Sequence, residues 1–497
     1  MAPISLTSAV IAVLLSSFAH GGRHLSVLVM STPAAGHIAM PIALGQELAR
    51  RGHNVTLFTA QLVGYDYPRL KAEGAGLGYA GPHVDVSYEA LQQLEQETSV
   101  SSSNESSLSL GYRKVSVLIP ALQEIMRATE VVLDSPSLKE FDIVIASEFA
   151  IPIAVCLTHN WAVPLVAFAS VMDVLTQQTP SWPFPGYSGR SSDDPDFAGR
   201  LLSTIERQTM VTLLPLLAKL LLWKQLDLST PGQFHHLPLT LDPYMSLATD
   251  PLPGDIQMWL DRHPTGSVVY ISMGTVAFLT QEAARAIVEG LDATGYNAVW
   301  SLRKKNRAIL DGLEVNDKKI LLLDWAPQLA ILRHRSIRMA ILHGGMNGVQ
   351  EALHSGVPII VLPVFGDQPA NAAKVAHHGF GIRMNYENLT SLKIAESIRK
   401  IEKGNYHANV AKLQKIFHHA GGVTKVADLV ELYAEVGYDH LIPAYARYGW
   451  TWIQYYNVDV YGLLLVIGGI IFILILRLYR CLCVRCYLCV KEKRKVD

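Results

Sequence analysis

Short runs rich in Val, Ile and Leu recur along this chain, and each is followed by a longer stretch with helical spacing. Alternation of that kind leaves few folds open, because parallel strands cannot be joined by tight hairpins and need crossover helices. The first run is Leu25 to Met30, followed by a turn and the helical stretch Ile38 to Arg51. Next come Val55 to Thr59, Ile143 to Ala146 and Leu165 to Phe168. A Pro-rich linker, Leu241 to Gly254, breaks the pattern. Strands resume at Ser267 to Ile271 and continue with Ala298 to Leu302, Ile320 to Leu323, Met339 to Leu342, Ile359 to Leu362 and Gly381 to Met384. The reading is an α/β protein of two doubly wound domains facing each other across a cleft, with ligands bound at the carboxyl ends of the strands. No residue-level repeat links the halves.

Charge argues against a nucleic-acid partner. The 497 residues carry 42 Lys plus Arg against 43 Asp plus Glu, and aromatic residues make up 8%. A polybasic binder would show a cationic excess and stacking platforms. Half the residues are apolar and 17% are charged, which excludes a disordered chain and points toward membrane segments.

Val460 to Leu476 is an unbroken run of 17 apolar or Gly residues, enough for a short transmembrane helix. Tyr445, Tyr448, Trp450, Trp452, Tyr455, Tyr456 and Tyr461 cluster at its start, where amphipathic rings favour the headgroup layer. Arg477, Arg480, Arg485, Lys491, Lys493, Arg494 and Lys495 follow, so the tail is expected in the cytosol and the body in a lumen. Lys493 and Lys495 match a KxKxx address of endoplasmic-reticulum membrane proteins. At the other end, Ala9 to Phe18 followed by Ala19 reads as a cleavable signal peptide, although Met1 to Thr7 lacks the usual Lys or Arg. A second apolar stretch, Met210 to Trp223, is interrupted by Pro215 and Lys219 and reads as a core helix or a segment dipping into the membrane surface.

Cys156 is alone in the body, and Cys481, Cys483, Cys486 and Cys489 crowd the tail, so no disulfide framework is expected. Juxtamembrane palmitoylation is the preferred reading of the tail, ahead of free thiols and of zinc. Asn104 and Asn388 head glycosylation sequons; the one at Asn54 is discounted because it enters a buried strand.

The strongest chemical signal is a strand ending in His343-Gly344-Gly345 and turning into the helix Asn347 to Leu353. Paired glycines admit close backbone approach, and a helix N-terminus offers N–H donors, which together make an anion site. Glu351 lies one turn below Asn347 on the same face, where a carboxylate accepts from ribose hydroxyls. Upstream, Trp325 and Gln328 can stack on and hydrogen-bond to a flat base. Downstream, Asp367 and Gln368 suit sugar hydroxyls.

These residues carry a resemblance. Trp325-Ala326-Pro327-Gln328, His343-Gly344-Gly345-Met346-Asn347-Gly348, Glu351-Ala352, Gly356-Val357-Pro358 and Asp367-Gln368-Pro369-Ala370-Asn371 resemble the signature of the UDP-glycosyltransferase family, which includes the UDP-glucuronosyltransferases. The resemblance implies a GT-B fold of two Rossmann-like domains, a UDP-sugar co-substrate, and no metal or other cofactor. It also implies roles. Trp325 would stack the uracil, with Ala326 beside it, and Gln328 would bond it. Glu351 would hold the ribose. His343 with the backbone of Gly345, Met346 and Asn347, next to Gly348, would take the pyrophosphate. Asp367 and Gln368 would bind the sugar, and Ser272-Met273-Gly274-Thr275 resembles a further phosphate-facing loop. Met346 stands where the family more often has Ser.

His37, in Pro33-Ala34-Ala35-Gly36-His37, resembles the family's catalytic base; an imidazole suits the task because its pKa lies near neutrality. The family orients that His with an Asp, and the matching position here is Ser147, followed by Glu148. Three readings stay open: Glu148 swings in, which is preferred; Ser147 or water suffices; or the enzyme is impaired.

The domain reading is therefore a signal peptide at 1–21, an acceptor-binding domain at 22–245, a UDP-sugar-binding domain at 246–439, an aromatic segment at 440–459, a transmembrane helix at 460–476 and a basic tail at 477–497. The expected function is inverting transfer of a hexosyl or glucuronosyl group to a small lipophilic acceptor, in the endoplasmic-reticulum membrane with the catalytic domains lumenal. A non-catalytic UDP-sugar or lipid-binding relative is the alternative. Membrane lipid is the expected environment, a homo-oligomer stays open, and the donor sugar and acceptor are not fixed by these residues.

Overall fold

A computed structural model describes residues 24–31, 35–63, 66–81, 83–87, 141–147, 150, 154, 163–168, 251–274, 279–364, 367–436 and 458–493. The signal-peptide reading, the stretch Met210 to Trp223, the sequon at Asn104, and Glu148 and Thr275 lie outside the described residues.

The first half opens with β1 (Ser26–Met30), α1 (Ala35–Arg50), β2 (Asn54–Phe58), β3 (Gln61–Val63), α2 (Tyr67–Gly74), β4 (Gly78–Ala80), β5 (His83–Ser87), β6 (Ile143–Ser147) and β7 (Leu165–Phe168). Five of these strands form a sheet in the order β4-β2-β1-β6-β7, parallel throughout, and β3 pairs with β5 in a second small sheet. The second half holds α3 (Gly254–Asp261), β8 (Val268–Ser272), α4 (Gln281–Asp292), β9 (Asn297–Ser301), β10 (Ile320–Leu323), α5 (Gln328–Leu332), β11 (Ile337–Leu342), α6 (Met346–His354), β12 (Ile359–Val361), α7 (Gln368–His377), β13 (Gly381–Arg383), α8 (Ser391–Lys403), α9 (Tyr406–Ala420) and α10 (Gly422–Val436). Its sheet runs β10-β9-β8-β11-β12-β13, again all parallel.

Both faces of the second sheet are covered, which is why its strands read as continuous apolar runs. Side chains alternate along each strand, so Val269, Ile271, Ala298, Trp300, Met339 and Ile341 pack on one face with Ile287, Leu291, Ile394 and Ile398 of α4 and α8. Val268, Tyr270, Val299, Ala340 and Leu342 pack on the other with Leu260, Ile331, Val349 and Val410. Helix α4 starts where the Thr280 hydroxyl accepts from the Ala283 N–H at 3.2 Å, a cap that satisfies one orphan donor.

In the first half, Val27, Val29, Leu57, Ile143 and Ile145 bury against Ile38, Leu44 and Leu48 of α1. Val426, Ala427 and Val430 of α10 belong to this same core, so the last helix of the second half closes the first. Polar contacts fasten it. Arg51 pairs with Glu431 at 2.7 Å and Asp428 at 2.9 Å, and with Glu47 of α1 at 2.9 Å. The Leu25 N–H donates to Nδ1 of His53 at 3.2 Å, leaving Nε2 to donate to Glu431 at 2.9 Å. Gly421 and Gly422, with φ of 87° and 55°, turn the chain between α9 and α10.

A separate unit holds α11 (Val458–Lys493), whose 36 residues extend well past the expected 460–476 span. Its segment Val460–Arg480 is long and apolar enough to cross a membrane, and none of it is buried in the protein. Asn388 is exposed, as a glycosylation site requires, and Asn54 is likewise exposed at the first position of its strand.

Candidate functional site

Strand order reverses between β8 and β11, where β9 and β10 lie to one side and β12 and β13 to the other. At such a switch point the flanking loops diverge and open a crevice outside the carboxyl ends of the strands. The loops that leave β8 and β11 carry Ser272-Met273-Gly274 and His343-Gly344-Gly345.

The imidazole of His343 is confined between two glycines. A Cβ on Gly274 would come within 2.6 Å of its Cε1, and one on Gly345 within 2.5 Å of its Nε2. Gly274 and Gly344 also need their left-handed φ of 70° and 92°. Burial drives the His343 pKa down to about 4, against a weaker upward pull from the Ser272 backbone. The ring is therefore neutral at working pH, with Nδ1 buried and without a hydrogen-bond partner among the described residues. Two residues later, Gly345 takes the cap position of α6 with φ −60° and ψ 138° and supplies no side-chain cap, which sets the N-terminus of the helix beside the imidazole.

Glu351 sits on the second turn of α6. Its Oε2 accepts from Nε2 of Gln328 at 2.6 Å, and Oε1 of Gln328 in turn accepts from the Tyr270 hydroxyl at 3.0 Å. Burial raises the carboxyl pKa, while the Gln328 hydrogen bond and the charge of Arg333 hold it down. Ahead of α5, Trp325 is 54% exposed beside the buried Ala326. An exposed indole at a strand end is a stacking surface rather than core.

On the other side, Asp367 begins α7 and accepts from Nδ2 of Asn371 at 2.6 Å. The same nitrogen donates to the Gly344 carbonyl at 2.9 Å, which joins the loop after β12 to the loop after β11. Gln368 is only 4% exposed, and its Oε1 accepts from the Val364 N–H at 2.9 Å. This arrangement can hold a flat base, a diol and a diphosphate in a row.

A family model for "UDP-glucoronosyl and UDP-glucosyl transferase" matches residues 244–496. The chain belongs to that family. Human UDP-glucuronosyltransferase 2A2 is 33% identical over 223 residues, which are 44% of this chain and 40% of that protein. Human UDP-glucuronosyltransferase 2B7 is 31% identical over 231 residues, 45% of this chain and 42% of that protein. The matched region thus spans well under half the length of these relatives. Among solved structures, Arabidopsis thaliana UGT89C1 complexed with UDP-L-rhamnose superposes with a TM-score of 0.58 at 21% identity, over 83% of this chain and 99% of the other. The glycotransferase of kitacinnamycin gives 0.56 at 17%, over 82% and 99%. The fold is accordingly GT-B.

In this UDP-glucoronosyl and UDP-glucosyl transferase family member, the sequence-read residues fall into groups. Ser272, Gly274, His343, Gly345, Met346, Asn347 and Gly348 gather at the switch point, with Trp325, Ala326, Gln328 and Glu351 alongside and Asp367 and Gln368 at the end of β12. The first half has its own reversal between β1 and β6, and there the Ser147 hydroxyl donates to that of Ser31 at 3.4 Å, with Ser147 only 1% exposed. His37 is in the first turn of α1, the helix that follows β1. Asp142, just ahead of β6, accepts from the Ser26 N–H at 2.9 Å. Sequence reasoning missed Tyr270 and Asn371 as site residues. Asn371 was findable, since it lies one helical turn after Asp367. Tyr270 carried only the faint signal of a phenol inside an apolar strand.

Proposed function

We propose that this chain is an inverting glycosyltransferase that moves a hexosyl or glucuronosyl unit from a UDP-sugar to a small lipophilic acceptor. The observation that carries the reading is the gathering of Trp325, the Gln328–Glu351 pair, His343 and the N-terminus of α6 at one switch point. Uracil stacks on the indole, the ribose diol donates to Glu351, and the diphosphate lies against the imidazole and the helix N–H groups. As the glycosidic bond to phosphate breaks, negative charge grows on the diphosphate, and those fixed donors stabilise it without reorganising. His37 takes the acceptor's proton as the acceptor oxygen attacks the anomeric carbon from the opposite face, and UDP leaves. The chemistry needs no metal. The helix Val460–Arg480 anchors the protein in the endoplasmic-reticulum membrane, with both sheets on the lumenal side.

Release of UDP in purified membranes tests this, with UDP-glucose, UDP-glucuronate, UDP-galactose and UDP-N-acetylglucosamine as donors and a panel of phenols and sterols as acceptors. Turnover should depend on acceptor and collapse in His37→Ala. No acceptor-dependent turnover, with His37→Ala indistinguishable from wild type, removes the enzyme reading. One observation favours a second reading, a non-catalytic UDP-sugar-binding relative: the position of the orienting carboxylate holds the buried Ser147. If Glu148 supplies that carboxylate, Glu148→Gln lowers kcat more than Ser147→Ala does.

A further inference from the structure

Tyr270 lies in the middle of β8, 1% exposed, among Val268, Val299, Ile331 and Val349. Packing alone would be served by Phe, and a buried phenol is costly unless its hydroxyl finds a partner. The partner here is not a neighbour in the core. It is Oε1 of Gln328, 58 residues further along the chain, at 3.0 Å.

The orientation of that amide follows from its two contacts. Nε2 of Gln328 donates to Oε2 of Glu351 at 2.6 Å, which leaves Oε1 toward Tyr270, and the phenol donates to it. Burial raises the Tyr270 pKa, so the proton it donates stays in place throughout the working range. Ser272 and Ser301 hydroxyls stand by the same phenol. The Ser272 hydroxyl also accepts from the Gly274 N–H at 3.3 Å. A polar chain thus runs from the loop after β8 through Tyr270 and Gln328 to Glu351.

The geometry points to Tyr270 as a positioning residue for nucleotide recognition: its hydroxyl sets the Gln328 amide, and the amide holds the Glu351 carboxylate in the orientation that receives the ribose hydroxyls. The inference rests on the UDP-sugar reading of the site. It also changes the part played by Gln328, both ends of whose amide are engaged by protein groups, from direct base reader to support for Glu351.

The test is the affinity of the full-length protein for UDP and for 2′-deoxy-UDP, measured by calorimetry in detergent on wild type, Tyr270→Phe, Gln328→Met and Glu351→Gln. Wild type should prefer UDP, and Glu351→Gln should lose the preference. Tyr270→Phe should lose about three- to tenfold of it, the range of one neutral hydrogen bond, with its melting temperature near that of wild type. A purely structural tyrosine would lower the melting temperature and leave the ratio intact. An unchanged ratio in Tyr270→Phe overturns the inference. Should that variant not accumulate, an unchanged ratio in Gln328→Met does the same. Wild type that binds UDP without favouring it over the deoxy form also rejects the inference and leaves the UDP-site reading standing. Wild type that binds neither nucleotide rejects both.

Discussion

The side-chain amide of Asn371 reaches from α7 to the loop after β11, where Nδ2 donates to the Gly344 carbonyl at 2.9 Å. Because the same nitrogen donates to Asp367 at 2.6 Å, one group fixes both the loop proposed to hold the diphosphate and the carboxylate proposed to bind the sugar. Asn371→Ala should lower unfolding stability by about 1–3 kcal/mol, the cost of removing the partner of the buried Gly344 carbonyl. It should also raise KM for the donor. Asn371→Asp should be worse on both counts, since it sets an acceptor against two acceptors. Thermal unfolding with and without UDP, together with donor titrations, checks both.

Gly345 offers a cleaner probe of His343. Its φ of −60° suits any residue, so Gly345→Ala acts by contact alone, with the new Cβ 2.5 Å from Nε2 of the imidazole. Displacing a donor to a charged phosphate should weaken UDP binding about tenfold or more. The far-ultraviolet circular dichroism spectrum should stay that of wild type.

Trp325 should separate binding from stability. At 54% exposure it contributes little to the core. Trp325→Ala should leave the melting temperature within about 2 °C and cost about 1–3 kcal/mol of UDP affinity, the usual value of a base stacked on an aromatic ring. Calorimetry and a melting curve on one preparation suffice.

Acid should expose the burial of His343. Its folded pKa of about 4 lies below the unshifted 6.5, so the unfolded chain binds the proton first as pH falls. This group costs no stability above pH 6.5, and between there and pH 4 it removes up to about 3 kcal/mol. Urea unfolding midpoints should fall from pH 7.5 to pH 5, and the fall should be smaller in His343→Gln.

Arg51 should govern the attachment of α10. Its side chain meets Glu47, Asp428 and Glu431, and donates to the Thr424 carbonyl at 2.9 Å. Arg51→Ala should destabilise the protein by about 1–3 kcal/mol, below the range for fully buried pairs because the guanidinium retains some solvent contact. Hydrogen exchange across residues 422–436 should speed up before that of β1 and β2.

The central strands were legible because both faces of each sheet are covered, so the strands are apolar throughout. β3, β4 and β5 were not, since three to five residues such as Gly78-Tyr79-Ala80 carry no periodicity. At the candidate site, the helix face shared by Asn347 and Glu351 was readable from their spacing, and the exposure of Trp325 from its place at a strand end. The support of Glu351 was hidden because Tyr270 and Gln328 meet only after β8 and α5 are packed together. Gln368 looked like an open sugar ligand, yet folding places it 4% exposed with its carbonyl on Val364, which no local pattern encodes. The attachment of α10 was equally invisible, since Arg51 and Glu431 are 380 residues apart.

Because α10 completes the core around Val27, Leu48 and Ile145, the two halves are not exchangeable cassettes. A chimera that imports a foreign acceptor half and keeps the native residues 422–436 would set an alien helix against an unmatched surface. Grafting would have to take two separated stretches of polypeptide at once, the leading half and this one distant helix, with Arg51, His53, Asp428 and Glu431 travelling as a matched set.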